Sequence, residues 1–168
     1  FAGSAVEPPP AVTPEPSATP QTKNVVRSIY NVRDKSVQSL YGLHALGYKI
    51  GSIALSPDGT KLAYIARVEE NRTQLYFRNL DQFEGSPLPE TDGAVMPFFS
   101  PDGRRVTYRS DRRGDHLLQV FVADLVFNEQ GTIVGTDNEV QLTDNSHVNW
   151  CPFWHPSGTY LVYATSEL

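Results

Sequence analysis

One four-residue turn occurs three times in this chain, and it constrains the fold more than any other feature. The copies are Ser56–Gly59 (SPDG), Ser100–Gly103 (SPDG) and His155–Gly158 (HPSG), and each precedes a short β-rich run that ends in Tyr. In such a turn Pro presets φ, Asp bonds nearby backbone and Gly accepts a positive φ. Because apolar residues precede each copy, the sequence predicts three hairpins of one kind.

The spacing of these hairpins indicates the architecture. Pro57 and Pro101 are 44 residues apart, and Pro101 and Pro156 are 55 apart. A period of roughly 40–50 residues is typical of the four-stranded blades of a β-propeller. We therefore predict an all-β fold, a partial β-propeller of four-stranded antiparallel blades, within residues 51–168. Two blades (51–89 and 94–142) and half of a third (from 148) are expected, with Phe127–Val134 extending the outer hairpin of the second.

The residues before the first hairpin have a different composition. Ala5–Thr22 contains six Pro and no aromatic residue, which favours a disordered Pro-rich linker over residues 1–23. Residues 24–50 permit two interpretations, a helical connector or the outer strands of a partial preceding blade. Because half a blade cannot bury its apolar face, we expect further blades of the same protein beyond this segment.

Charge and hydropathy exclude several classes of partner. The net charge is −5, and the basic cluster Arg104, Arg105, Arg109, Arg112 and Arg113 is interleaved with Asp, as in a solvated, salt-bridged hairpin. A nucleic-acid partner is therefore not expected. No run of about 18 apolar residues occurs, so we predict no insertion of this segment into a membrane.

No motif in the sequence predicts catalysis, and we expect no catalytic, cofactor-binding or metal-binding residue. Cys151 is the only cysteine, and its apolar neighbours on an inner strand predict a buried small hydrophobic residue rather than a nucleophile. The four His lack the spacing of a zinc site. Neither a G-x-S-x-G elbow nor a phosphate-binding glycine loop is present.

An interaction surface is the remaining possibility. Propeller loops converge at the mouth of the channel, and Trp and Arg are favoured interface anchors. The candidate interaction residues lie near the inner strands and are Arg109, His147, Trp150, Trp154 and His155, with Phe98 beside them. The competing interpretation, packing between sheets, is expected for the aromatic residues Phe98, Phe99, Phe153 and Trp154.

These repeats resemble the TolB-like propeller repeat. The matching features are the S-P-D-G turns followed by K/R-x-x-Y, the Ser110–Gly114 connection (SDRRG), and Leu142-Thr143 before the next apolar strand. The resemblance implies a noncatalytic, periplasmic or extracellular protein-interaction propeller with a protein partner. It also leaves an alternative, an accessory propeller of a larger enzyme. That enzyme is either a prolyl oligopeptidase-type hydrolase with a propeller lid or a bacterial Ser/Thr kinase with a propeller sensor region.

Overall fold

The strands follow the predicted repeats. The computed structural model describes residues 53–69 and 72–166, so the predicted linker (1–23) and the ambiguous segment (24–50) lie outside the described residues. The described elements are β1 (Ile53–Leu55), β2 (Lys61–Glu69), β3 (Arg72–Asn79), β4 (Ser86–Pro87), β5 (Ala94–Phe99), β6 (Arg105–Ser110), β7 (Gln119–Phe127), β8 (Ile133–Gln141), β9 (Val148–Trp154) and β10 (Leu161–Ser166).

These strands form three antiparallel sheets in chain order. The first sheet has the order β1-β2-β3-β4, the second β5-β6-β7-β8, and the third contains β9 and β10. The predicted all-β class and the two four-stranded units are thereby confirmed. The longer second unit contains two nine-residue strands, β7 and β8, joined at Asn128–Thr132 where the sequence predicted an extended outer hairpin.

The main core lies between the first and second sheets. Side chains alternate across a strand, so each sheet contributes one face to it. Phe77 of β3 meets Phe99 of β5 edge to face, with ring centroids 5.7 Å apart. The other face of the first sheet is also buried at Leu62, Tyr64, Ala66 and Tyr76, and the two tyrosine rings stack at 5.4 Å. The first sheet is therefore buried on both faces at β2 and β3, whereas Ile53 and Leu55 of β1 are exposed.

The repeated turns share one hydrogen-bond pattern. Ser56 Oγ donates to Asp58 Oδ1 at 2.5 Å and accepts from the Lys61 N–H at 2.9 Å, and Ser100 repeats both bonds. In the third turn His155 Nδ1 accepts from the Ser157 N–H at 3.2 Å. A ring nitrogen and a hydroxyl thus replace the Ser and Asp oxygens, which preserves the turn despite the different residues.

Neighbouring turns pack on one another. A Cβ placed on Gly103 would lie 3.5 Å from Pro57 Cδ, and one placed on Gly158 would lie 3.8 Å from Pro101 Cδ. Arg105 adds a bond across the same gap, donating from Nη2 to the Gly158 carbonyl at 2.8 Å. The turns therefore connect consecutive sheets as well as consecutive strands.

Two inner strands contain a bulge at the residue before a proline. Met96 and Cys151 have φ of +52° and +45°, and the pairing register of each strand shifts at this point. The side chain of Cys151 is exposed, so the prediction that it is buried is wrong. The cause is the bulge, which inserts one unpaired residue and breaks the alternation on which the prediction depended.

The third sheet has an open edge. Among the described residues β10 pairs only with β9, and the side chains of Val162 and Tyr163 are 57% and 41% exposed. Phe153, expected to pack between sheets, is half exposed although its ring contacts Phe98 at 4.9 Å. Packing between sheets is thus complete for Phe99 and partial for Phe98 and Trp154.

Replacing Gly103 with Ala should lower the free energy of unfolding by about 1 kcal/mol, because a Cβ is strained at its φ of +69°. Gly135→Ala is the matched control, since no atom lies within 4 Å of the position that its Cβ would take and its φ is not in the left-handed region. Urea denaturation of both variants measures the difference. Equal effects at the two glycines would contradict the proposed role of the turn.

The open edge predicts self-association of the isolated chain. An edge strand with unpaired N–H and C=O groups and apolar side chains is a template for pairing, and a Lys on it opposes pairing. Val162→Lys should therefore shift the sedimentation profile at micromolar concentration toward the monomer. Val126→Lys is the control, because this exposed Val lies on β7, which is flanked by β6 and β8, and it should leave the profile unchanged. A monomeric wild-type chain would show that β10 does not associate.

Candidate binding site between the second and third sheets

A buried asparagine joins the second and third sheets. Asn149 is completely buried at the start of β9, and its backbone N–H donates to the Leu118 carbonyl at 3.1 Å. Its side-chain amide has bonds to both sheets and to the loop between them; the partners are the Leu118 and His147 carbonyls, Gln119 Oε1, Asn145 and Thr165 Oγ1. This network fixes the position of β9 against the second sheet.

The connection that leads into each new sheet contains a Thr-Asp pair. Thr143 Oγ1 accepts from the Val120 N–H at 2.9 Å, and Thr91 Oγ1 accepts from the Leu75 N–H at 3.1 Å. Asp144 forms an ion pair with Arg113, and Asp92 forms one with Arg72. The N–O distance is 2.7 Å in each pair. Leu142-Thr143 was identified from the sequence as a feature of the TolB-like repeat. The equivalent Thr91-Asp92 of the first sheet was not identified.

Arg109 is the largest completely buried side chain, and it lies between the second and third sheets. From β6 its Nη1 donates to the Asn149 carbonyl at 2.9 Å, and its Nη2 donates to Met96 Sδ at 2.9 Å. Its Nε has no hydrogen-bond partner, and no carboxylate among the described residues pairs with the guanidinium. A buried cation without a counter-ion is costly in a protein interior.

The environment of Arg109 perturbs its protonation. Burial lowers the pKa of its guanidinium to about 10, and the nearby Cys151 opposes that shift. The group is therefore still a cation at neutral pH. Its charge faces a thioether, a carbonyl and an indole ring instead of an acid.

Arg112, three residues further along, has the partners that Arg109 lacks. Its Nη1 binds Glu139 Oε1 at 2.7 Å and its Nη2 donates to the Tyr108 hydroxyl at 2.8 Å. The Tyr108 hydroxyl in turn donates to Glu139, and burial together with this carboxylate raises the pKa of Tyr108. The two arginines thus differ in role, since only Arg112 belongs to a neutralised network.

Trp150 lies beside Arg109. The guanidinium carbon is 5.2 Å from the centre of the indole ring, within the range of a cation–π contact, and the indole N–H donates to Ser166 Oγ at 3.1 Å. His147 lies on the preceding loop, and its carbonyl accepts from Gln119 and Asn149. Its Nδ1 is buried without a hydrogen-bond partner.

The other candidate residues lie at the opposite end of β9. Trp154 stacks on the guanidinium of Arg105 at 4.4 Å, and His155 stacks on Tyr160 at 4.2 Å. The five candidate residues thus form two groups along one strand and its flanks. Arg109, His147 and Trp150 lie toward its start, and Trp154 and His155 lie toward its end.

A groove of about 830 Å³ lies between the first two turns. Its carboxylates are used within the turns themselves. The Ser56 hydroxyl and the Thr60 N–H, which bond to Asp58, lower the pKa of that carboxyl to about 2, and Ser100 acts in the same direction on the pKa of Asp102. We therefore attribute the groove to the packing of the two turns and not to a catalytic site.

Clustered metal ligands and membrane-spanning helices are both absent from the described residues. In residues 53–69 and 72–166, no three or more His, Cys, Asp or Glu side chains are grouped so that they could hold a metal ion. The same part of the chain contains no helix long and apolar enough to cross a membrane.

Comparison with known proteins identifies the fold. A protein assigned as TolB from Agrobacterium tumefaciens superimposes with a TM-score of 0.54 and 23% identity, over 71% of this chain and 39% of that one. TolB from Acinetobacter baumannii superimposes with a TM-score of 0.50 and 19% identity, over 67% of this chain and 25% of that one. The chain therefore has a TolB-like propeller fold, and it spans well under half the length of these proteins.

One curated relative is also similar in sequence. The uncharacterized peptidase YuxL of Bacillus subtilis (strain 168) is 29% identical over 117 residues, which cover 66% of this chain and 16% of YuxL. This chain thus spans about one sixth of the length of that relative. No family model matches the sequence.

The contrast between the two arginines gives a stability prediction. Arg109→Met should raise the free energy of unfolding by about 1–2 kcal/mol, because it removes a buried charge that lacks a counter-ion. Arg112→Met should lower it by about 1–2 kcal/mol, because Glu139 loses its charged partner. Urea denaturation of the two variants measures both effects. Equal destabilisation by both substitutions would show that Arg109 is stabilised in the fold.

Proposed function

We propose that this segment is part of a noncatalytic, extracytoplasmic propeller that binds a protein partner. The observation that carries the proposal is the exposure pattern of β9 and the turn after it. Trp150, Trp154 and His155 are partly exposed on the same strand and turn, while Val148 and Asn149 are buried. Aromatic side chains on a rigid, hydrogen-bonded strand are effective interface anchors.

Three further features support the proposal. The chain has a TolB-like fold, and the resemblance of its repeats to TolB-like proteins implies a periplasmic or extracellular location. The open edge of β10 and the exposed face of the third sheet favour further blades of the same protein. The net charge of −5 favours a protein rather than a nucleic acid as the partner.

A second candidate is an accessory propeller of a hydrolase. The similarity to a protein named as a peptidase favours it. In that case the chain would control access to a catalytic domain encoded elsewhere in the same gene. The full gene distinguishes the two, because a downstream G-x-S-x-G elbow indicates the hydrolase, while a signal peptide with propeller repeats alone indicates the interaction protein.

The interaction proposal predicts that a few aromatic anchors dominate the affinity. With the complete protein and the partner that crosslinks to it in cells, Trp150→Ala and Trp154→Ala should each weaken binding about tenfold or more. Phe83→Ala is the control, since Phe83 is an aromatic residue that is 87% exposed in a loop of the first sheet. Cleavage of peptide substrates by the complete protein, with no loss of partner binding in the Trp variants, would favour the hydrolase candidate instead.

A further inference from the structure

We infer that the Nε/Nη2 edge of Arg109 is a recognition site for a carboxylate of an extended partner peptide, covered in the free protein by the Met96 side chain. The inference rests on the proposed interaction function and specifies the chemistry of the partner at one position. Among the described residues, Arg109 is the one completely buried cation that has no carboxylate partner.

The guanidinium is already oriented for a carboxylate. Its Nη1 is anchored to the Asn149 carbonyl at 2.9 Å, which fixes the plane of the group. The Nε–H and one Nη2–H lie parallel along one edge of that plane. On this edge Nε has no partner and Nη2 has only Met96 Sδ at 2.9 Å. A carboxylate accepts two parallel hydrogen bonds from this edge of an arginine.

Exchange of the thioether for a carboxylate is energetically favourable at this position. A thioether is a weak acceptor and carries no charge. A carboxylate gives the buried cation a counter-ion and satisfies the free Nε–H, and both interactions are strengthened by the low local dielectric. The cation is already desolvated by folding, so the free-energy cost of binding is the desolvation of the ligand together with its lost freedom of motion.

The cover over Arg109 is a side chain that can move without opening a sheet. Met96 is partly exposed, and its unbranched side chain has three rotatable bonds. It lies on the inner-strand bulge of the second sheet, and the corresponding bulge of the third sheet carries the exposed Cys151. Met96 has no partner in the β5–β6 register, and rotation of its side chain leaves the backbone hydrogen bonds of that pair in place.

The surroundings favour a single negative charge over a phosphate. Trp150 forms one wall of the site, and among the described residues no Lys, other Arg, Asp, Glu or His affects the pKa of Arg109. A doubly charged phosphate is bound most effectively by more than one cation, whereas one arginine matches one carboxylate. The carboxylate can belong to an acidic side chain or to the C-terminus of the peptide.

The test uses the complete protein and three short peptides of otherwise identical alanine-rich sequence. One peptide has a central Glu and blocked termini, the second has Gln in its place, and the third has Gln and a free C-terminal carboxylate. Binding is measured by calorimetry and by the NMR signal of the Arg109 Nε–H. We expect a carboxylate peptide to bind about ten- to a hundredfold more tightly than the blocked Gln peptide, and to shift that signal.

Variants assign the effect to this edge. Arg109→Lys keeps the charge but lacks the paired N–H edge, so it should weaken the preference for a carboxylate severalfold. Met96→Leu removes the competing sulfur at similar volume, so it should strengthen carboxylate binding severalfold. Arg112→Lys is the control and should preserve the preference, since Arg112 already has Glu139 as its partner. An amide NMR spectrum of each variant verifies that it folds.

The outcomes separate this inference from the proposed function. Tighter binding of the Glu peptide identifies a side-chain carboxylate, and tighter binding of the free-terminus peptide identifies a C-terminal one. Equal binding of all three peptides, no binding of any, or a preference that is undiminished in Arg109→Lys would each overturn the inference. In those cases the protein-interaction proposal is judged separately, by the effect of the Trp variants on the crosslinked partner.

Discussion

The structure depends on the packing of one sheet face against the next. A four-stranded antiparallel sheet with apolar side chains on both faces must cover both, and in the first sheet β2 and β3 are buried on both sides. The second sheet packs on the first through Phe77 and Phe99 and presents its other face to β9. Every other feature, including the turns and the polar network, serves to hold these faces in register.

Polar groups at the strand ends determine that register. The Ser-Pro-Asp-Gly turns close one end of each inner hairpin, and their Pro and Gly residues pack across to the next turn. At the other end the Thr-Asp connections cap a backbone N–H of the third strand and bind an arginine. Because these contacts are short and directional, they limit the slip of one sheet along another in a way that apolar contacts alone do not.

The parts of this fold that the sequence predicted are those that local chemistry dictates. Turns with Pro and Gly, alternating strands and their period predicted the three hairpins and the two four-stranded units. The bulge at Cys151 was not predicted, although the proline after it and the equivalent Met96-Pro97 were a usable signal. Arg109 and Trp150 were identified as candidates individually. Their contact, and the central role of Asn149, depend on packing between sheets, which no local pattern reports.

At the proposed recognition site, Arg109 places stability and ligand binding in opposition. Thr107 on the same strand and face is a buried polar residue whose hydroxyl donates to the Phe121 carbonyl, so this face can satisfy a polar group with backbone alone. At Arg109 the structure instead buries a full charge, anchors one of its nitrogens and leaves the adjacent edge to a weak acceptor. A group held in that way lowers the stability of the free protein, and its orientation is fixed before any ligand arrives. Strain or unsatisfied polarity of this kind is concentrated at functional sites, because a ligand that supplies the missing charge recovers the free energy that folding gave up.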